Sequence, residues 1–168
     1  IGNGGVAGNL GKAPAAAGNL VLGGGTLQYT GATASTDRVI TLTPGAISGI
    51  DVSLNNLMLS STIPASTGAL TKLGAGTLTL LVSNFYTGTT TVNAGTLAYG
   101  TNDALATGPV TVDGATAILA LGNNQSDIVG TVTVANGGGI TGTGTSSLTS
   151  TGTFEMQGGS VSAILAGA

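Results

Sequence analysis

Six carboxylate side chains give this sequence its most direct route to catalysis. The 168 residues include no His and no Cys, so imidazole acid–base chemistry, a Ser-His-Asp arrangement, thiol catalysis and ordinary zinc binding are excluded. Clustered carboxylates alone can still cleave a polysaccharide. The acidic residues are scattered singly, without an Asp-Asp or Asp-x-Asp pair, at Asp37, Asp51, Asp103, Asp113, Asp127 and Glu155. We therefore predict no catalytic residue, and a polysaccharide-degrading enzyme is a remote alternative.

The sequence contexts of the acidic residues indicate structural roles. Asp103 in GTNDALATG and Asp113 in VTVDGATA occupy turn sequences, in which Asp caps backbone amides. Asp37 and Arg38 are interpreted as a solvated pair in a turn. A calcium-binding β-roll requires Gly-Gly-x-Gly-x-Asp, and the similar stretch NGGGITGTG has no Asp. We predict no metal site and no cofactor.

Short segments that alternate apolar and polar residues recur along the chain and predict β-strands. They are Thr26–Tyr29, Val39–Leu42, Thr77–Leu80, Thr96–Tyr99, Val110–Val112 and Thr131–Val134. Between them lie sequences whose Gly, Asn, Asp and Pro residues form turns, at Gly23–Gly25, Pro44–Gly45, Asn93–Gly95, Asp113–Gly114, Gly122–Asn124 and Asn136–Gly139. No window carries a helical stripe, and Pro14 to Ala17 has room for one helical turn at most.

The composition favours a solenoid over a sandwich or a barrel. Those two architectures seat large aromatic side chains between sheets about 10 Å apart, whereas only 3% of these residues are aromatic. A parallel β-helix instead fills a narrow interior with stacked Val, Leu, Ile and Ala. The Gly-Thr-Leu sequence at Gly76–Leu78 recurs at Gly95–Leu97, a separation that fits one coil per repeat. We predict one all-β unit over residues 1–168, a single-stranded parallel β-helix of roughly eight coils.

The alternation within the strands predicts which side chains fill the interior. In Thr77–Leu80 the two leucines share one face and the two threonines the other. Stacked coils would then form an inner column of leucines and an outer column of threonines. We expect Leu78 and Leu80 to be buried, and Leu97 to lie in the same column as Leu78, one coil away.

Charge and hydropathy exclude several classes of partner. With three Lys and Arg residues and a net charge of −3, the chain has no basic patch for nucleic acid or anionic lipid. No apolar stretch approaches the roughly 18 residues of a membrane span, so no membrane insertion is expected. Disorder is also disfavoured, because 41% of the residues are hydrophobic and few are charged.

Residues 69–100, ALTKLGAGTLTLLVSNFYTGTTTVNAGTLAYG, resemble the passenger-associated repeat of bacterial autotransporters. That pattern runs roughly LTKxGxGTLTLxGxNTYTGxTTVNxGTL. The matching positions are Leu70–Lys72, Gly74, Gly76–Leu80, Asn84, Tyr86–Gly88 and Thr90–Leu97. The sequence departs from the pattern at Val82, where Gly is expected, and at Phe85, where Thr is expected. Weaker echoes, LVLGGGTLQYTGATAS and GSVSAILAGA, lie near the two ends.

The resemblance implies a right-handed β-helical segment of an extracellular adhesin or autotransporter passenger at the bacterial cell surface. We expect a structural, non-enzymatic role as a stalk or surface-display scaffold, with host or matrix surfaces among the partners. The chain has no signal peptide and no initial Met, so we expect it to be part of a longer protein.

The principal alternative is a subunit of a self-assembling extracellular fibre or filament. Neither end carries an evident charged or helical cap, and an uncapped solenoid leaves strand edges unpaired. Residues 1–10 and 158–168 are apolar, rich in Gly and almost uncharged. We therefore expect each end to meet a neighbouring repeat or an identical subunit.

Three further groups of residues are candidates for binding. Lys72 is expected to expose its ammonium group while its stem lies over the edge of a coil. The tyrosines Tyr29, Tyr86 and Tyr99 are expected to cap coil edges rather than to stack on sugar rings. The pairs Thr77/Thr79, Thr89/Thr91 and Thr131/Thr133 underlie a remote ice-binding hypothesis, which is weakened because Thr is a good polar strand former.

Overall fold

The computed structural model describes residues 1–167, which wind into a parallel β-solenoid. These residues form strands, turns and irregular segments, and no helix. They accordingly contain no helix that is long and apolar enough to cross a membrane. Each coil contributes one strand to each of two seven-stranded sheets, in which neighbouring strands are parallel. The predicted all-β parallel fold is confirmed, with about seven coils where the sequence predicted roughly eight.

Two long sheets run the length of the solenoid, and a third face closes each coil. Sheet 1 contains β2 (Thr26–Tyr29), β5 (Ile47–Val52), β7 (Ala69–Leu73), β9 (Thr90–Val92), β11 (Val110–Asp113), β14 (Val132–Ala135) and β17 (Phe154–Met156). Sheet 2 contains β3 (Ala34–Thr36), β6 (Asn56–Leu59), β8 (Thr77–Leu80), β10 (Thr96–Tyr99), β12 (Ile118–Asn123), β15 (Gly138–Thr143) and β18 (Gly159–Val161). The third face pairs β1 (Val21–Leu22) with β4 (Thr41–Leu42), and later β13 (Ser126–Val129), β16 (Ser147–Ser150) and β19 (Ile164–Gly167).

A column of stacked aliphatic side chains fills the interior behind sheet 2. Its members pair in register from one coil to the next: Ala34, Leu57, Leu78, Leu97, Leu119, Ile140 and Val161. Leu78 is completely buried and Leu80 is 1% exposed. Leu97 pairs directly with Leu78. The predicted inward face of β8 and the shared column are therefore confirmed, and the chain advances 19 residues between these two leucines.

The turn at Gly95 shows why a glycine opens the second Gly-Thr-Leu sequence. Gly95 adopts a positive φ of 61°, which only glycine adopts freely. A Cβ at this position would collide with the carbonyl oxygen of Gly74 on the preceding coil. Glycine therefore lets the chain turn and lets two coils stack at the distance that the parallel ladder requires.

Residues 1–20 form no strand and instead cover the first coil, which accounts for the missing eighth coil. Ile1 and Leu20 pack against the hydrophobic core. Arg38 holds this segment in place, because its guanidinium donates to the carbonyl oxygens of Gly2 at 2.9 Å, Gly11 at 2.8 Å and Ala13 at 3.1 Å. Arg38 is only 3% exposed. The interpretation of Arg38 as part of a solvated pair is wrong, and this end of the coils has a cover built around a cation.

Candidate functional site

Lys72 lies inside the solenoid, in a column of otherwise apolar side chains. It pairs with Ile50 on the preceding coil and with Val92 on the next, and it has no solvent exposure. The expectation of an exposed ammonium group is wrong. The alternation of β7 places Leu70 and Lys72 on the inner face, so the stem of the lysine continues the core.

The ammonium group of Lys72 reaches the corner where β7 ends. It donates three hydrogen bonds to backbone carbonyl oxygens, those of Leu73 at 2.7 Å, Gly74 at 2.8 Å and Ala94 at 3.1 Å. Three donors thus find three acceptors, which satisfies the group. Burial lowers the pKa of Lys72 to about 8, and the Asp51 carboxylate acts in the opposite direction. Lys72 therefore has a structural role, and its ammonium group has no donor left for a ligand.

The three tyrosines are all interior residues. Tyr29, Tyr86 and Tyr99 are buried, with exposures of 8%, 1% and 6%. The Tyr86 hydroxyl lies 2.7 Å from the Thr90 hydroxyl, and burial raises the pKa of both Tyr86 and Tyr99. These rings therefore have no face free to stack on a sugar, and they fill the core rather than cap coil edges.

The carboxylates of Asp37, Asp51 and Asp113 lie apart, and those of Asp51 and Asp113 are near the ends of sheet 1 strands three coils from each other. Asp37 accepts a hydrogen bond of 2.6 Å from the Gly4 amide in the covering segment. Asp51 accepts one of 3.0 Å from the Gln28 side chain, and Asp113 accepts one of 2.6 Å from the Asn136 side chain. Within residues 1–167, no three acidic side chains come close enough to share a metal ion.

The threonine pairs do not share one surface. Thr77 and Thr79 belong to β8 in sheet 2, whereas Thr91 and Thr133 belong to strands of sheet 1. On sheet 1 the outward residues Thr71, Thr91, Thr111 and Thr133 do pair in register on successive coils. These threonines form a regular column. The second threonine of each pair is missing on the coil of Thr111, where Pro109 stands in its place, so the pairs do not continue from coil to coil.

The third face loses its strands in the middle of the solenoid, and two polar side chains replace the missing ladder. Asn84 is 3% exposed, accepts a 2.7 Å bond from the Ile63 amide and donates a 2.7 Å bond to the Ala104 carbonyl. Asp127 is 2% exposed and accepts bonds of 2.9 Å from the Leu105 amide and 2.8 Å from the Ile128 amide. Side chains therefore supply the partners that strands would otherwise provide.

Two neighbouring coils are joined on this face by side chains rather than by a backbone ladder, since the Ser83 and Asn84 side chains donate to the carbonyl oxygens of Asn102 and Ala104. Among the described residues, no backbone hydrogen bond joins 82–88 to 101–108, although Phe85 and Thr87 do bond to the coil before them. The coils come together again at Gly108, where a Cβ would collide with the carbonyl oxygen of Gly88. The break in the backbone ladder is thus local, because the two backbones are in close contact again at Gly88 and Gly108.

A groove of about 370 Å³ occupies the gap between these coils. We call it the third-face groove. It is lined by Ser83, Asn84, Phe85, Thr87, Asp103, Leu105, Ala106, Thr107, Asp127 and Ile128. Phe85 is 60% exposed and Ile128 is 52% exposed, so two large apolar side chains meet solvent at the groove. The groove is therefore the candidate site for contact with another molecule.

Asp127 gives the groove a buried charge. Burial raises the pKa of this carboxyl to about 6, while the Leu105 amide, the Tyr99 hydroxyl and the Ile128 amide lower it and Asp103 raises it further. The buried Tyr99 hydroxyl faces Asp127 without a hydrogen bond of normal geometry. Asp103 lies at the rim with a positive φ of 51° and is exposed. Neither Asp103 nor Asp113 accepts a backbone amide within residues 1–167, so the capping role predicted for them is wrong.

Over residues 1–167, the fold is a parallel β-solenoid that buries Lys72 in its interior and carries the third-face groove on its side. The sequence model of the passenger-associated-transport-repeat matches residues 70–98. These residues are therefore a passenger-associated repeat of the autotransporter type, and they supply both Lys72 and Phe85.

One relative extends the likeness beyond this repeat. The chain is 46% identical over 122 residues to the adhesin BmaC autotransporter of Brucella suis biovar 1 (strain 1330). The aligned part covers 71% of this chain and 4% of that protein. No solved structure matches the chain significantly. The chain is therefore similar to a part of an autotransporter adhesin, and it spans only a small share of that protein's length.

Sequence reasoning missed the third-face groove. Its members come from three coils, and no short motif contains them. One signal was present, since Phe85 stands where the repeat pattern has Thr. A large apolar residue at an outward turn position is a candidate for contact with another molecule. The Phe85 ring is indeed exposed, and it lines the groove together with Ile128.

Proposed function

We propose that this chain is a non-catalytic structural segment of an extracellular adhesin or autotransporter passenger and acts as a stalk or display scaffold. The observation that carries the proposal is the uninterrupted interior column of sheet 2, in which Leu57, Leu78, Leu97, Leu119 and Ile140 are completely buried on successive coils. Each coil stacks on the last through the same contacts, so length is the property that repetition controls.

The likeness to a protein named an adhesin supports an extracellular setting at a bacterial surface. A scaffold also needs to resist proteolysis, and two of the three Lys and Arg residues are buried, Arg38 and Lys72. Trypsin thus has few accessible bonds. A rod of this kind sets a distance between an anchor and whatever the longer protein presents.

A coil deletion tests the scaffold proposal. Removing residues 78–96 joins Thr77 to Leu97 and preserves register, because Thr96 pairs with Thr77 and Leu97 with Leu78. The shortened chain should still unfold cooperatively, with one coil fewer. In parallel, the intact chain and its six single Asp→Asn or Glu→Gln variants should release no reducing ends from a panel of polysaccharides. Cleavage that one variant abolishes would replace the scaffold by an enzyme.

End-to-end assembly into a fibre is the second candidate function. Strands β17, β18 and β19 lie at the end of their sheets, and Met156 and Ile164 are 49% and 53% exposed there. The last residue of this stretch, Ala168, lies outside the described residues. Assembly would require the segment of residues 1–20 to move or to form part of the contact. Light scattering across a concentration series separates the two functions, since a fibre subunit grows into filaments and a stalk segment stays monomeric.

A further inference from the structure

The third-face groove combines apolar contact surface with free backbone groups. Phe85 and Ile128 flank it, and Leu105 lies at its base with 2% exposure. Within residues 1–167, the Phe85 carbonyl and the Thr107 amide make no hydrogen bond. An extended peptide satisfies such groups with its own backbone, as in strand addition to a sheet edge.

The negative charge of the groove favours a ligand with a positively charged group. Asp103 and Asp127 both line it, and no cation does. Arg38 and Lys72 are held by backbone carbonyls elsewhere, and Lys12 lies in the covering segment. The negative charge of the groove therefore has no partner within the described residues, and a ligand with a positive group would complement it.

The polar inventory of the groove argues against a saccharide. Asn84 uses its side-chain oxygen and nitrogen on Ile63, Val82 and Ala104. Each Asp127 oxygen already accepts a backbone amide. The Ser83 hydroxyl donates to the Asn102 carbonyl. Few directional groups are left for a ring of hydroxyls, while the apolar surface and the free backbone groups suit a peptide.

We propose that the third-face groove binds an extended peptide segment with an apolar side chain and, two residues later, a Lys or Arg side chain. Residues two apart on a strand point to the same face. The apolar side chain then packs against Phe85 and Ile128 above Leu105, and the basic side chain pairs with the exposed Asp103 carboxylate near the buried charge of Asp127. This function goes beyond a scaffold, because it gives the solenoid a specific partner along its side.

The probe is the blocked pentapeptide acetyl-Thr-Leu-Thr-Arg-Thr-amide, titrated into the ¹⁵N-labelled 168-residue chain and followed by amide chemical shifts. We expect saturable shifts confined to residues 83–87, 103–107 and 126–128, with Kd below about 1 mM. The same peptide with Gln in place of Arg, or with Ala in place of Leu, should bind about tenfold more weakly.

Two variants of exposed residues test the contacts without disturbing the core. Phe85→Thr introduces the residue that the repeat pattern has at this position, and it should weaken binding about tenfold. Asp103→Asn removes one charge and retains a side chain that tolerates positive φ, and it should weaken binding about threefold. Leu54→Thr is the matched control, because Leu54 is 81% exposed and does not line the groove. It should bind as the unaltered chain does.

Three outcomes would overturn the proposal. The first is no saturable shift at several millimolar peptide. The second is equal affinity for the Arg and Gln peptides, or for the unaltered chain and Phe85→Thr. The third is perturbation of the same amides by a linear glucose oligosaccharide but not by the peptide. The amide spectrum of each variant shows whether it is folded, so a loss of binding is not confused with a loss of structure.

Discussion

The ammonium group of Lys72 donates a hydrogen bond to the carbonyl oxygen of Ala94, one coil further along the solenoid. Its other two bonds, to Leu73 and Gly74, remain at its own corner. One buried cation thus joins the corners of two successive coils. Because hydrogen bonds to a charged donor are stronger than neutral ones, this side chain reinforces the contact between the two coils.

Replacement of Lys72 by Met tests this role. Met retains the apolar stem but leaves the three carbonyl oxygens without their charged donor, so the free energy of unfolding should fall by about 1–3 kcal/mol. Urea denaturation measures the change. Lys12→Met is the control, since Lys12 is exposed in the covering segment, and its effect should stay within about 0.5 kcal/mol. A Lys72→Met chain as stable as the unaltered one would contradict the corner contact.

Arg38 should protect the covering segment from protease. In the chain, the Ala13 carbonyl accepts a bond from the Arg38 guanidinium, directly after the exposed Lys12. Arg38→Met should therefore expose the Lys12–Ala13 bond, and trypsin should cut it about tenfold faster, because local opening at a lower free energy speeds cleavage. Mass spectrometry of a digestion time course identifies the cut. Equal rates in both chains would show that Arg38 does not hold the segment.

The inner column should be sensitive to loss of volume at Leu78. Leu78 is completely buried between Leu57 and Leu97. Leu78→Ala should lower the free energy of unfolding by about 2–5 kcal/mol through lost burial and a residual cavity. Thr77→Val, on the outer face of the same strand, should change it by less than about 0.5 kcal/mol. A loss below about 0.5 kcal/mol for Leu78→Ala would contradict the assigned register.

Asp127 should make stability depend on pH in an unusual direction. Its pKa is about 6 in the folded chain against a reference of 3.8, so the folded chain retains a proton that the unfolded chain has released between these values. The free energy of unfolding should therefore fall as pH rises through this window. Tyr99 and Asp103 face the carboxyl and share its environment.

The variant Asp127→Asn isolates this effect from the titration of the other acids. Its free energy of unfolding should be subtracted from that of the unaltered chain at pH 4, 5, 6 and 7. The difference, unaltered chain minus variant, should fall as pH rises from 4 and should level off above about pH 7. A difference that is constant with pH, or that changes in the opposite direction, would contradict a raised pKa for Asp127.

The repeated strands and turns were predictable because they follow local rules. Thr77–Leu80 and Thr96–Tyr99 appear with the predicted bounds, since period-2 alternation and a glycine turn determine each one. The segment Val39–Leu42 is a strand only at Thr41–Leu42. Val39 and Ile40 have no strand to pair with on this side, because residues 1–20 form none, and the Arg38 contacts that hold this segment leave no local pattern.

The burial of charged and polar groups was not predictable. Lys72, Arg38 and Asp127 are interior, although these residue types are almost never fully buried without partners. Their partners are backbone groups, some adjacent in the chain and others on a neighbouring coil or in the covering segment, and no local pattern marks a free carbonyl or amide there. The third-face groove escaped prediction for the same reason, because Phe85, Leu105 and Ile128 come from three coils.

One distance tests most directly whether the coils stack evenly into a rod, as the proposed spacer role requires. Thr26 and Glu155 are exposed and lie on one outward column of sheet 1, linked in register through Gly49, Thr71, Thr91, Thr111 and Thr133. The chain has no native Cys, so Thr26→Cys and Glu155→Cys accept spin labels selectively. Six coil steps predict a narrow distribution centred at about 29 Å by pulsed electron spin resonance. A mean below about 20 Å, or a broad distribution without a peak near the predicted value, would contradict the stacked solenoid.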